Sequence, residues 1–128
     1  MMIFCVQCEK NVDAESVTGK EIYPHREDIY VRKFYRCPMC GNYVGTHIES
    51  GEPLGCIPTK ALRERRQEIH AKLDWMWKEK LISRKKLYQK LSDMLGYTYH
   101  TGDVKSFEEC DRIMLCVKKI REEIYAIR

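Results

Sequence analysis

Phe4-Cys5-Val-Gln-Cys8-Glu9 and Arg36-Cys37-Pro-Met-Cys40-Gly41 decide the fold. Each is a Cys-x-x-Cys pair, and 28 residues (9–36) lie between Cys8 and Cys37. Two such pairs supply four thiolates, the donor set of a closed tetrahedral Zn²⁺ site. Each pair folds as a tight knuckle whose backbone amides reach the sulfurs, and Gly41 follows the second pair where the turn relaxes. The insert is longer than usual for such sites, and it suits a β-hairpin plus one further strand. Cys5, Cys8, Cys37 and Cys40 are therefore expected to hold one structural Zn²⁺. A site with four protein ligands leaves no position for water or substrate, which argues against metal catalysis. The competing reading, a pair of redox-active dithiols, needs a thioredoxin-like βαβ context that this chain lacks.

Outward from the knuckles, Thr18-Gly19-Lys20 reads as a hairpin turn between strands at 12–18 and 20–24. Residues 29–36 are rich in β-formers and lead into Cys37. Tyr43-Val44 is a short return strand. Together these predict a zinc ribbon over 1–45. Two glycines (Gly51, Gly55) and two prolines (Pro53, Pro58), with Gly45 at its edge, mark 46–58 as a connecting loop.

The remainder, 59–128, reads as three helices packed as one unit with the ribbon, so the fold class is α+β. Thr59 opens the first helix, which runs to about Lys80 with Leu62, Ile69, Leu73 and Met76 inward. Ser83 caps the second, with Leu87, Leu91, Met94 and Leu95 inward and Gly96 as its C-terminal stop. Residues 97–105 are a polar loop. Ser106 and Glu109 form a capping box for the third helix. Its apolar face is Phe107, Cys110, Ile113, Met114, Val117, Ile120 and Ile124.

The chain has 128 residues, 44% of them hydrophobic and 33% charged, an ordinary globular composition. The zinc lobe alone is near the size at which a metal is needed for folding. No apolar run is long enough to span a membrane, and the start lacks the character of a signal peptide. Seven cysteines, an odd number, fit zinc in a reducing cytosol better than disulfides. The net charge of +4 is uneven: −2 over 1–58, +7 over 59–90 and −1 over 91–128. The basic stretch suits phosphates or an acidic protein surface, or is a solvated helix face. Its candidate contacts are Arg63, Arg66, Arg84, Lys85, Lys86 and Lys90, with Tyr88 and Trp75 nearby.

Arg63, Arg66, His70, Asp74 and Trp77 share one helical stripe. They read either as an anion-binding and acid–base array or as a buttress of the 45–58 loop against the helix, in which the arginines bond loop carbonyls and Trp77 packs below. The buttress is the expectation, because His and Asp at i,i+4 are common helix chemistry. His47 and Cys56 lie in the loop after the second knuckle and are expected to stay off the metal. Cys110 and Cys116 are expected in the core. A zinc-knuckle nuclease needs a second metal site with a His–Asp or His–Asn pair after the knuckles. Only His25, His47, His70 and His100 exist, so no enzymatic activity is expected.

As a set, Cys5-Val-Gln-Cys8, Phe34-Tyr-Arg-Cys37-Pro-Met-Cys40-Gly41, Tyr43-Val-Gly45, His47, Pro53-Leu-Gly55, Leu62-Arg63, His70 and Trp77 are familiar. With Ser83-Arg84, Tyr88, Leu91 and Leu95-Gly96, the chain resembles a family of small phage and prophage proteins described as zinc-finger-containing. The resemblance covers nearly the whole chain and implies a zinc ribbon, a helical tail and action in a bacterial host cytosol. It brings no assigned activity. In size, zinc and origin it extends to zinc-containing anti-CRISPR proteins that act on type II effector nucleases. The expectation is a non-catalytic inhibitor that binds a host protein and blocks DNA loading. The alternative is a nucleic-acid-binding accessory protein of phage replication or transcription.

Overall fold

The structure, a computed structural model, describes residues 1–127. It divides into two compact units, Met1–Ala61 and a second from Leu62 on. The class is α+β, with small antiparallel sheets first and helices after.

The first unit holds two sheets. Strand β1 (Met2–Cys5) pairs antiparallel with β2 (Lys10–Asp13), Cys5 opposite Lys10. Strands β3 (Glu15–Thr18), β4 (Lys33–Arg36) and β5 (Tyr43–Gly45) form the second sheet, with β4 in the middle. The period-2 pattern of strands turns Ile3, Val12, Tyr35 and Val44 inward, where they pack around Cys5 and Cys37 with Ala14 and Ile57.

Three local features depart from the sequence reading. No hairpin forms at Thr18–Lys20. Instead the chain enters a helical turn, α1 (Gly19–Ile22), and a 3₁₀ turn at Glu27–Ile29 before β4 returns alongside β3. Gly19 is required there for closeness: its N–H donates to the Arg32 carbonyl at 2.8 Å, and a Cβ at this position would sit 1.8 Å from the Ile29 oxygen. The expected strand at 29–36 accordingly shrinks to Lys33–Arg36. The end of the connecting loop is not free chain. Ile57 pairs in parallel with β1, its N–H donating to the Phe4 carbonyl at 2.8 Å and its carbonyl accepting from Val6 at 2.9 Å. Ile57 is fully buried.

The second unit is built on three helices, α2 (Lys60–Lys78), α3 (Arg84–Leu95) and α4 (Phe107–Ile127). Leu62, Ile69, Leu73 and Met76 of α2, Leu87 and Leu91 of α3, and Cys110, Ile113, Val117 and Ile120 of α4 are buried. Ser83 Oγ accepts from the Lys86 N–H at 3.2 Å, the N-cap bond. Gly96 ends α3 at φ +84°. Ser106 Oγ accepts from the Glu109 N–H at 3.2 Å, the forward half of the capping box. Met94 and Phe107 are 41% and 47% exposed, against the expectation that both face inward. Phe107 opens its helix ahead of the buried stripe, and its ring lies under the Arg65 guanidinium, 5.5 Å away. The loop at 97–105 is also more than polar linker, because Tyr99 and Val104 are buried. The Tyr99 N–H donates to Ser92 Oγ at 2.9 Å, which ties the loop to α3.

Replacing Gly19 by Ala forces backbone out of contact distance. We expect Gly19→Ala to lower the stability of the first unit by about 2–3 kcal/mol, read as a shifted midpoint in denaturant. An unchanged midpoint would contradict the close approach.

Candidate metal centre

Each knuckle sits at the bend of a hairpin. Cys5 is the last residue of β1, and Cys8 lies in the turn to β2. Cys37 follows β4, and Cys40 lies in the turn to β5. The second turn is closed by the Gly41 N–H donating to the Cys37 carbonyl at 2.9 Å and the Cys37 N–H donating to Asn42 at 2.8 Å. Gly41 holds φ +81°, which an L side chain rarely adopts. The residue after the first knuckle, Glu9, also takes a left-handed φ of 54°. Both knuckles therefore end on a left-handed residue.

The four sulfurs converge. Cys5 Sγ lies 3.5 Å from Cys40 Sγ, and Cys8 Sγ lies 3.8 Å from Cys37 Sγ. All four lie within 4.8 Å of one another. Zn–S bonds of ~2.3 Å in a tetrahedron place sulfurs about 3.8 Å apart, so the donors stand where one zinc ion would hold them. A disulfide needs ~2.05 Å, and all four are free thiols. Cys5 and Cys37 are fully buried, while Cys40 is exposed. Among the described residues, this is the one group of three or more His, Cys, Asp or Glu side chains able to hold a metal.

The thiols differ in acidity. Burial pushes Cys5 up to about 12, outweighing the backbone bond from Cys8. Burial also raises Cys8. At Cys37 burial acts in the same direction, yet the backbone N–H groups of Cys40 and Met39 and the neighbouring thiols bring it down to about 7. Of these three, Cys37 is the readiest as thiolate, and a cation must displace protons from Cys5 and Cys8.

The other candidates fall elsewhere. His47 is exposed and Cys56 buried, and neither joins the sulfur cluster. Cys110 is buried, as expected of a core position, whereas Cys116 is only half-buried and lies outside the core. On α2, Asp74 accepts from Trp77 Nε1 at 3.0 Å and faces His70 Nδ1 at 3.0 Å, a local brace along the helix. Arg66 corrects the list of partner-contact residues. It is buried, and its Nε and a terminal nitrogen donate to the Val104 carbonyl at 3.0 and 2.6 Å. Buried and bonded to an internal carbonyl, this guanidinium is not part of the exposed basic surface. Arg66 bonds a loop carbonyl as a buttress would, but the loop is 97–105 and not the expected 45–58. Arg63 is half-buried, and Arg84, Lys85, Lys86 and Lys90 are exposed on α3. Lys90 pairs with Glu123 at 3.3 Å, and Arg84 stacks 4.7 Å from the Tyr88 ring centre. No helix is long and apolar enough to cross a membrane among the described residues.

A family model described as a zinc-finger-containing domain matches residues 1–123. No curated protein and no solved structure gives a significant match. The four-cysteine geometry and the family agree on one zinc ion held by Cys5, Cys8, Cys37 and Cys40.

Chelating the metal should abolish the β-sheet signal of the first unit, because binding free energy is folding free energy in so small a zinc lobe. Affinity should rise with pH, because the cysteines of the unfolded, metal-free lobe are mostly thiols at neutral pH and zinc takes them as thiolates, so binding releases protons. A competition titration with a chromogenic chelator reads this. A pH-independent affinity, or sheet structure that persists after complete chelation, would contradict it.

Proposed function

The chain belongs to the zinc-finger-containing family, and we propose that its zinc is a staple and its work is binding. The observation that carries this reading is the donor set. Four thiolates, two of them fully buried, close the coordination sphere and leave no site for water activation or substrate polarisation. On this reading the protein has no catalytic activity. The metal fixes a small folded lobe, and the exposed surfaces meet a macromolecule.

The finer reading is a phage or prophage protein that docks on a host protein, an anti-CRISPR inhibitor that blocks DNA loading by a type II effector nuclease. Charge supports a docking role. The lobe over 1–58 carries −2, and one Zn²⁺ on four thiolates adds a further −2, so Glu9, Asp13, Glu15, Glu27, Asp28, Glu49 and Glu52 offer carboxylates that imitate a phosphate row. A second reading, nucleic-acid binding, draws on Arg84, Lys85 and Lys86, exposed together at the start of α3.

The test is a pull-down of the tagged, zinc-loaded chain from host lysate, with and without nuclease, followed by competition with labelled target DNA for a purified effector–guide complex. The inhibitor reading expects one stoichiometric protein that survives nuclease and a dose-dependent loss of DNA loading. Undiminished DNA loading at saturating protein would contradict it.

A further inference from the structure

On the second unit, α2 and α4 meet at a seam that carries an unusual set of exposed groups. The Arg121 guanidinium lies 5.3 Å from the Trp75 ring centre and 5.6 Å from that of Tyr125. Trp75 is 42% exposed and Tyr125 46% exposed. Arg121 forms no ion pair among the described residues. On its own helix, Glu123 pairs with Lys90 instead. Lys72 precedes Trp75 by three residues and Lys118 precedes Arg121 by three, which puts each on the same helix face as its neighbour. Both lysines are exposed and unpaired among the described residues.

Contact with two rings holds a guanidinium in place without using its N–H donors. An anion is what such a group lacks. Both rings keep part of their surface in water beside the guanidinium, so further stacking has room. Unpaired cations interleaved with exposed aromatic faces are the arrangement by which proteins hold single strands: phosphates meet the cations and bases stack on the rings. An acidic protein surface would satisfy the charges but not the open ring faces.

We propose that the α2–α4 seam, centred on Trp75, Arg121 and Tyr125, binds single-stranded nucleic acid. This rests on the nucleic-acid reading and places the contact on the seam instead of on the basic start of α3. The Arg121 fork and the two lysines engage about three phosphates, and a base stacks on Trp75.

The experiment uses the full zinc-loaded chain and a fluorescently labelled oligothymidine of about 15 nucleotides, within the span of one such site. Anisotropy should rise on binding, and Trp fluorescence should be quenched. Trp75→Ala should weaken binding about tenfold and remove most of the quenching. Arg121→Glu, an exposed change that leaves the core intact by circular dichroism, should weaken it at least as much. Affinity should fall about 20-fold between 50 and 200 mM salt for three phosphates on a single strand. Binding that is unchanged in both variants but lost in Lys85→Glu/Lys86→Glu would overturn the seam and keep the nucleic-acid reading. Absence of binding at 50 mM salt, including the case in which an acidic protein occupies the same face, would overturn both.

Discussion

The first unit depends on four sulfur atoms brought to one point by two hairpins that are remote in sequence. Its apolar interior is small: Ile3, Val12, Ala14, Tyr35, Val44 and Ile57 around Cys5 and Cys37. So few side chains do not by themselves offset the conformational entropy of ordering some sixty residues. A metal bonded to both knuckles supplies the missing term, since the thiolates gather only in the folded chain. The rest of the unit follows from that demand. Cys5 must be delivered by the end of β1, and Ile57 holds that end from the other side. Cys37 must be delivered by β4, and Gly19 lets the chain before β4 pass close enough for β3 and β4 to pair.

The same bonding limits what the metal does. A sphere completed by four protein thiolates leaves nothing exchangeable at the metal. Charge is uneven along the chain: the sequence over 1–58 carries a net −2, and the positive excess of +7 falls over 59–90. Arg66 shows that a positive charge in the sequence is not always a surface charge, because burial against the Val104 carbonyl converts it into a fastening for the 97–105 loop.

Much of this architecture is legible in the sequence. The zinc ligands follow from paired spacing alone, and the helices follow from the 3.6-residue recurrence of Leu62, Ile69, Leu73, Leu87, Leu91, Ile113, Val117 and Ile120. Caps at Ser83, Gly96 and Ser106 stand where short-range rules put them. What could not be read depends on chain segments meeting from afar. Gly19 looks like a turn glycine, and only the passing Ile29 carbonyl shows that it serves close approach. Ile57 sits in a Gly- and Pro-rich loop, and its pairing with β1 has no local signal. Met94 and Phe107 fit the helical period at element ends, where the neighbouring helix no longer covers them. The Trp75–Arg121 contact joins residues 46 apart in sequence, so neither helix alone announces it.

The most direct test of the central claim is the zinc X-ray absorption spectrum of the purified chain, together with its metal content. One zinc per chain, with four sulfur scatterers at ~2.3 Å and no nitrogen or oxygen in the first shell, is the result expected of Cys5, Cys8, Cys37 and Cys40. A shell containing nitrogen or oxygen, or a fully folded chain with no zinc, would contradict the closed four-thiolate centre on which the account rests.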